Sequence, residues 1–150
     1  MDRLTGDWDR ERTEQFLDER TIPVRLATHT PRGGLWMLSL WYRYRDGCIE
    51  CATGANATVV EYLRENSEVA FEISTNDVPY RGVRGAGVAD IAPDEDKAVL
   101  GDLIERYLGD TDSKLARRLL SPDREEVRIE VDIHRAYTWD FSDRMGGGRD

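Results

Sequence analysis

The 150-residue sequence predicts a mainly β, α+β fold, a small closed antiparallel sheet with helices at its periphery. Three observations carry this. Seven short strand-like runs follow one another with turn signals between them. Helical periodicity is confined to a few short stretches. No internal repeat and no linker divides the chain, and a single domain of this size buries roughly 68–70% of its unfolded surface without help from disulfides or metals.

The elements read in order as follows. Residues 1–9 are expected to fray, and Arg10 to Arg20 to form a short amphipathic helix packed loosely through Phe16 and Leu17, its only large apolar residues. Thr21-Ile22-Pro23 breaks it, because proline disfavours helix in the residue before it. A meander follows, with runs at Pro23–His29, Leu35–Arg45 and Cys48–Thr53. Its turns are Pro31-Arg32-Gly33-Gly34 and Asp46-Gly47, the latter a strong two-residue hairpin signal. In the middle run Trp36, Leu38, Leu40, Tyr42 and Tyr44 make an unbroken apolar face directed at a core. The opposite face carries Leu35, Met37, Ser39, Trp41, Arg43 and Arg45, a surface on which a flat ligand can lie.

Gly54-Ala55-Asn56-Ala57 leads into a helix in which Thr58 and Glu61 have capping-box spacing and Val59, Tyr62 and Leu63 make the buried stripe. Such a helix start suits phosphate, or is simply well capped. Val69–Ser74 alternates as a half-buried strand. The next, Gly82–Ile91, holds Gly82, Gly85 and Gly87, which fit either a barrel bend or close approach of a ligand. After Pro93-Asp94 a helix presents Leu100, Leu103, Ile104, Tyr107 and Leu108 on one stripe and stops at Gly109. A shorter helix spans Ser113–Leu120. Glu126–His134 alternates cleanly, and a last strand carries Tyr137, Trp139 and Phe141 on one face. Leu38, Leu40, Ile73, Val88, Ile129 and Val131 are the expected barrel core.

The formal charge of −9 repels nucleic acid and anionic lipid, so neither is an expected partner. No apolar run approaches the roughly 20 residues of a membrane span, and the acidic start of the chain does not read as a signal peptide, so a cytoplasmic location is expected. Lys97 and Lys114 are the only lysines among 21 basic residues, which points to a salt-loving, haloarchaeal source, the alternative being ordinary compositional drift. Cys48 and Cys51 form a C-x-x-C, but positions three apart on a strand face opposite ways, so two unlinked, metal-free thiols are expected. His29 and His134 are far apart in sequence, and no P-loop, nucleophile elbow or dinucleotide fingerprint is present. The chemistry therefore has to come from a cofactor.

The order of several features resembles the pyridoxamine-phosphate-oxidase-like flavin-binding split barrels. These are Arg25-Leu26-Ala27-Thr28, the pair Trp41-Tyr42, the turn Asp46-Gly47, a strand ending in Thr53, a helix at Thr58–Arg64, the strand Val69–Ser74, the run from Tyr80 through Gly87, and Tyr137-Thr138-Trp139-Asp140. The resemblance spans roughly residues 22 to 141. It implies a Greek-key split barrel over residues 22–142, preceded by an arm and helix over 1–21 and followed by a flexible tail over 143–150. It implies a homodimer with two cofactor sites at the interface, and a flavin mononucleotide (FMN)-dependent oxidoreductase acting on a small-molecule substrate. It places the flavin ring along the strand of Leu38, Ser39 and Trp41, and the phosphate near Thr53 and the helix start at Thr58 and Val59. Family members carry Arg or Lys at that helix start, and here both positions are uncharged. Two lost charged contacts cost several kcal/mol at roughly 1.5–3 kcal/mol each. Arg25, Arg81 and Arg84 are the candidates to supply the charge instead, the alternative being that they pair with surface carboxylates. The departure leaves open a deazaflavin coenzyme, haem, a cofactor-holding dimer without turnover, or a chain that binds no cofactor.

Overall fold

The computed structural model describes residues 1–145. The strands are β1 (Arg3–Gly6), β2 (Val24–His29), β3 (Leu35–Leu40), β4 (Arg43–Arg45), β5 (Cys48–Gly54), β6 (Glu68–Ser74), β7 (Arg81–Pro93) and β8 (Glu126–Asp140). The helices are α1 (Arg10–Glu19), α2 (Thr58–Glu65), α3 (Ala98–Leu108), α4 (Lys114–Leu119) and α5 (Ser142–Met145). The strands form one sheet in the order β3-β2-β6-β7-β8-β5-β4, antiparallel throughout, with β1 added parallel to β8. β3 and β4 therefore lie at opposite ends of the order although only Trp41 and Tyr42 separate them.

That break is where the barrel closes. The sequence predicts one strand from Leu35 to Arg45, but at Trp41-Tyr42 the chain leaves β2 and joins β5. Tyr42 is fully buried, and its hydroxyl donates to the Leu17 carbonyl at 2.7 Å. Its backbone N–H donates to the Tyr107 hydroxyl at 3.2 Å, which replaces the ladder bond lost at the kink. At the next turn Asp46 and Gly47 have φ of 50° and 82°, the geometry the hairpin signal requires.

The N-terminus does not fray. β1 pairs with β8, the Trp8 N–H donates to Thr138 Oγ1 at 2.9 Å, and the Trp8 indole N–H donates to Asp140 Oδ2 at 3.0 Å. α1 packs tightly, with Phe16 and Leu17 at 1% and 0% exposure in the main core. The four residues of β1 are mostly exposed and carry no alternation, so only the partner strand reveals them.

Ile73, Ile129 and Val131 are fully buried in that core, and Leu38 and Leu40 pack against it half-buried. Val88 does not join them, being 40% exposed, because the inward phase of β7 runs through Val83, Gly87 and Ala89. The two predicted C-terminal strands are one, β8, interrupted by a bulge. Ala86 pairs with Arg135 and Gly87 with Ile133, which leaves His134 as an extra residue. The alternation inverts across it: Val127, Ile129, Val131 and Ile133 face inward before the bulge, Ala136 and Thr138 after it.

The glycines of β7 belong to this crossing. A Cβ on Gly85 or Gly87 would lie 2.1 Å from the carbonyl oxygen of Arg135 or Asp132, and one on Gly82 would lie 2.6 Å from that of Ile73. Of the two roles open to them, these backbone contacts favour closure of the sheet.

α2 begins without a capping box. Ala57 is the cap, Thr58 is already inside the helix, and no side chain bonds the free N–H groups. Its inward stripe is Val59, Val60 and Leu63, while Tyr62 is half-buried and meets the Trp36 ring edge-on at 5.3 Å. α3 is capped by Asp94, whose two carboxylate oxygens accept from Val99 and Leu100 at 3.0 and 2.9 Å. α3 and α4 enclose a second cluster, in which Leu100, Ile104 and Ala116 hold Trp41 and Ala52. α5 takes up residues 143–145 of the predicted tail, and residues 146–150 lie outside the described residues. Among the described residues no helix is long and apolar enough to cross a membrane.

Gly87→Ala should lower unfolding stability by about 1–3 kcal/mol, the range for forcing a methyl into a packed site. Urea melts of the two proteins measure this, and equal midpoints would show that β8 shifts freely at the bulge.

Candidate functional site

The sheet turns one face away from the core, and side chains on it fall into rows set by the register. One row reads Ser39, Arg25, Glu72, Arg84, Tyr137 and Thr5 across β3, β2, β6, β7, β8 and β1. The next reads Met37, Ala27, Ala70, Ala86, Arg135 and Arg3. Three alanines in the middle of the second row make a low floor. Larger side chains stand around it, and the result is a trough of about 670 Å³ lined by Arg3, Arg25, Arg84 and Arg135 together with Met37, Glu72 and Tyr137. Beside it a second cavity is lined by Tyr80, Tyr137, Trp139 and Phe141, and Arg84 borders both. Tyr137 and Trp139 stack with ring centres 6.4 Å apart and planes 17° from parallel. The Arg84 guanidinium lies 4.6 Å from the first ring and 5.2 Å from the second.

The arginines of the trough are not spent on carboxylates. The chain carries nine more acidic than basic groups, and three arginines outside the trough pair with carboxylates: Arg43 with Glu50 and Asp102, Arg124 with Glu126, Arg128 with Glu130. Among the described residues, none gives the side chains of Arg3, Arg25 or Arg135 a hydrogen bond or an ion pair, and Arg84 has only its two rings. Arg25 Nη1 is a buried donor without a partner. Glu72 stands between Arg25 and Arg84 in the register, yet its carboxylate accepts from the Ser74 hydroxyl at 3.2 Å and pairs with neither. A buried charged donor left unsatisfied costs free energy that an anion in the trough would recover.

The residues singled out from the sequence are dispersed. Ser39 and Arg84 share the first row, with Arg25 between them and beside Glu72. Leu38 lies on the opposite side of β3, against the core. Arg81, three residues before Arg84, is on the other face of β7, where its charge acts on Asp140 without a direct ion pair and its Nε is a buried donor without a partner. Trp41 is not free to receive a ring on both sides, because Tyr107 of α3 stacks on it at 5.2 Å and 9°. Thr53 is half-buried on β5 opposite Val127, and Thr58 is exposed in the first turn of α2. Val59 is 1% exposed and its side chain belongs to the core, so only its backbone is available to a ligand. Arg3, Arg135 and Tyr137 were missed. Arg3 lies in the segment expected to fray, and the other two point outward only because of the bulge.

The thiols are unlinked. Cys51 is fully buried opposite Ile129 and Cys48 is half-buried opposite Asp132, on alternate faces of β5. Burial pushes both thiols up from their ordinary value, with nearby carboxylates adding to it, so neither is an activated nucleophile.

The first of three solved structures that share this architecture is a conserved hypothetical protein from Mycobacterium tuberculosis. It is 24% identical, with a TM-score of 0.74 over 93% of this chain and 89% of the other. An F420 reductase is 24% identical, with a TM-score of 0.66 over 81% of this chain and 94% of its own. A protein from Listeria innocua described as a candidate pyridoxamine 5′-phosphate oxidase is 12% identical, with a TM-score of 0.66 over 85% and 95%. The fold is the split barrel. At these identities the likeness is one of fold, as the resemblance implied. No protein-family model matches the sequence, and no curated protein matches it closely enough to count as a relative.

Asp140 anchors the site's outer edge to the N-terminus. Burial raises its carboxyl, but hydrogen bonds from the Ser142 side chain and backbone and from Trp8, with the Arg81 charge, more than offset this and hold it below the usual aspartate range. A carboxylate so depressed stabilises the fold fully above its unfolded value of about 3.9, and the contribution is lost as pH falls through the lower folded value. The stability gap between the native chain and Asp140→Asn, measured by urea melts, should therefore be largest near neutrality and should close as the pH is taken below about 4.

Proposed function

We propose that the trough holds the phosphate-bearing, flavin-type cofactor of an oxidoreductase, and that the protein acts on a small molecule as a homodimer. One observation carries this reading: four arginines without carboxylate partners gather in a cavity of about 670 Å³ on a chain of net charge −9. The volume falls within the roughly 300–1,000 Å³ of small-molecule sites. The Arg84 guanidinium lies over the stacked pair of Tyr137 and Trp139, a cation–aromatic platform that suits a planar ring with a charged tail. The shared fold with an F420 reductase and with a candidate pyridoxamine 5′-phosphate oxidase supports the same class of cofactor.

When bound, such a group supplies hydride or electron transfer. The chain's own residues do the rest: Arg25 and Arg84 neutralise phosphate, Ser39 offers a hydroxyl in the same row, and the aromatic shelf orients the ring. FMN is the first candidate and a deazaflavin the second. The start of α2, with Thr53 and Thr58 nearby, is the competing place for the phosphate, since its backbone N–H groups have no side-chain cap.

The dimer follows from the rim of the trough. Leu35 and Met37 are 79% and 62% exposed on the trough side of β3, and Val88 and Tyr137 extend that apolar fringe on β7 and β8. A second copy seated on the fringe covers it and closes the trough, burying more than the roughly 1,000 Å² that a specific interface needs. Light scattering in molar salt, where self-repulsion is screened, should report a dimer. A monomer there would contradict the assembly.

The absorption spectrum of the purified protein and fluorescence titrations with FMN and with a deazaflavin test the cofactor. Arg84→Ala and Arg25→Ala should each weaken FMN about ten- to a hundredfold, as expected for a charged hydrogen bond. Sensitivity to Thr58→Arg with indifference to Arg84→Ala would move the phosphate to α2. No bound chromophore and no titratable binding of either compound would overturn the reading.

A further inference from the structure

β1 takes the edge of β8 beyond the bulge, where β5 has ended: β5 pairs with Glu126–Asp132 and β1 with Arg135–Thr138. Its hold is at its two ends. The Asp7 N–H donates to the Thr138 carbonyl at 3.1 Å and the Trp8 N–H to Thr138 Oγ1 at 2.9 Å, while Arg10 Nη2 donates to the Met1 carbonyl at 2.6 Å. Gly6 has a φ of 105°, and a Cβ there would lie 2.0 Å from the Thr138 carbonyl oxygen, so this docking requires glycine. Between the ends, charge opposes it. Arg3 and Arg135 are direct cross-strand partners, both exposed on the trough face. Like charges so placed are destabilising, and among the described residues no carboxylate relieves them. The other two arginines of the trough belong elsewhere: Arg84 leans over Tyr137 and Trp139, and Arg25 stands on β2 with β6 and β7 between.

We propose that Arg3 and Arg135 form an oxyanion site of the trough that the N-terminal strand completes, so that anion binding and docking of β1 favour each other. A phosphate or carboxylate group between the two guanidiniums replaces a repulsion with two charge-assisted contacts. Reciprocity makes the coupling run both ways: the anion holds β1 on β8, and a docked β1 raises anion affinity. The proposal rests on the reading of the trough as the ligand site and adds the strand that closes it. Two sources of the oxyanion fit this chemistry, the phosphate of the cofactor and the charged end of a substrate.

Inorganic phosphate, titrated calorimetrically at constant ionic strength, is the probe. Arg3→Gln should weaken it about tenfold, the loss of one charged hydrogen bond. Gly6→Ala removes no charge, yet by lifting β1 it should weaken phosphate nearly as much, and the double variant should add little to either. Arg3 is exposed, so Arg3→Gln should fold, as thermal melting will verify for each variant. In hydrogen exchange of the free protein, Arg3→Gln should slow the amides of residues 3–6 about two- to fivefold, because a repulsion is gone. Saturating phosphate should slow them in the native chain and leave Arg3→Gln nearly unchanged. If FMN affinity falls in step with phosphate in Arg3→Gln, the oxyanion is the cofactor's phosphate. If FMN holds while phosphate weakens, it is a second anion, and either result upholds the site. A native chain that takes no phosphate, or phosphate affinity indifferent to Arg3→Gln or to the lifting of β1 in Gly6→Ala, overturns the inference, while FMN binding through Arg84 keeps the cofactor reading. Faster exchange of β1 in free Arg3→Gln overturns it as well. If neither phosphate nor FMN binds the native chain, both readings fall together.

Discussion

One extra residue in β8 decides which way the C-terminal third of the sheet points its side chains. Up to Ile133 the odd positions face the core, and beyond His134 the phase is reversed. Without that insertion Arg135 and Tyr137 would be driven into the barrel beside Ile133, where an unpaired guanidinium is costly. With it they stand on the outer face in line with Arg84 and Arg25. The insertion has its own requirement. β8 swings close enough to β7 that only glycine fits at positions 85 and 87. The glycine-rich sequence of β7, the outward arginine of β8 and the aromatic shelf are thus one geometric solution rather than three features.

The charge distribution gives the trough its meaning. On the opposite side of the sheet order, Arg43 and Arg128 are held in a cluster with Glu50 and Glu130. A cationic concavity in a negative field attracts small anions while the rest of the surface repels large ones. Added salt weakens such a field.

What could be read from the sequence was whatever alternates or caps. The run Val127, Ile129, Val131, Ile133 and the turn Asp46-Gly47 carry their geometry in residue type, and the barrel class and the helices followed from such signals. What could not be read depended on partners distant in sequence. β1 is mostly exposed and exists because β8 offers it an edge. Val88 alternates plausibly with either phase until the pairing with Glu68 and Asp132 assigns it outward. Thr58 and Glu61 satisfy the spacing of a capping box, but the helix starts one residue earlier than that box needs. Trp41 was read from its strand alone, and the ring that stacks on it arrives from α3, 66 residues later. The candidate site was legible only in part, through Arg25, Arg84 and Ser39, since the register that aligns them with Arg135 and Arg3 is written in the sheet and not along the chain.

The stacking arrangements divide the four tryptophans into two optical populations. Trp8 lies against Phe16 at 4.9 Å, Trp36 against Tyr62 and Trp41 against Tyr107, each engaged by a helix away from the shelf. Trp139 lines the cavity beside the trough, with its ring over Tyr137 and under the Arg84 guanidinium. Trp36 and Trp41 are half-buried and Trp8 and Trp139 buried, so the intrinsic emission sums indoles in distinct settings. Trp139, packed with Tyr137 and Arg84, is the luminescent reporter of the cavity beside the trough.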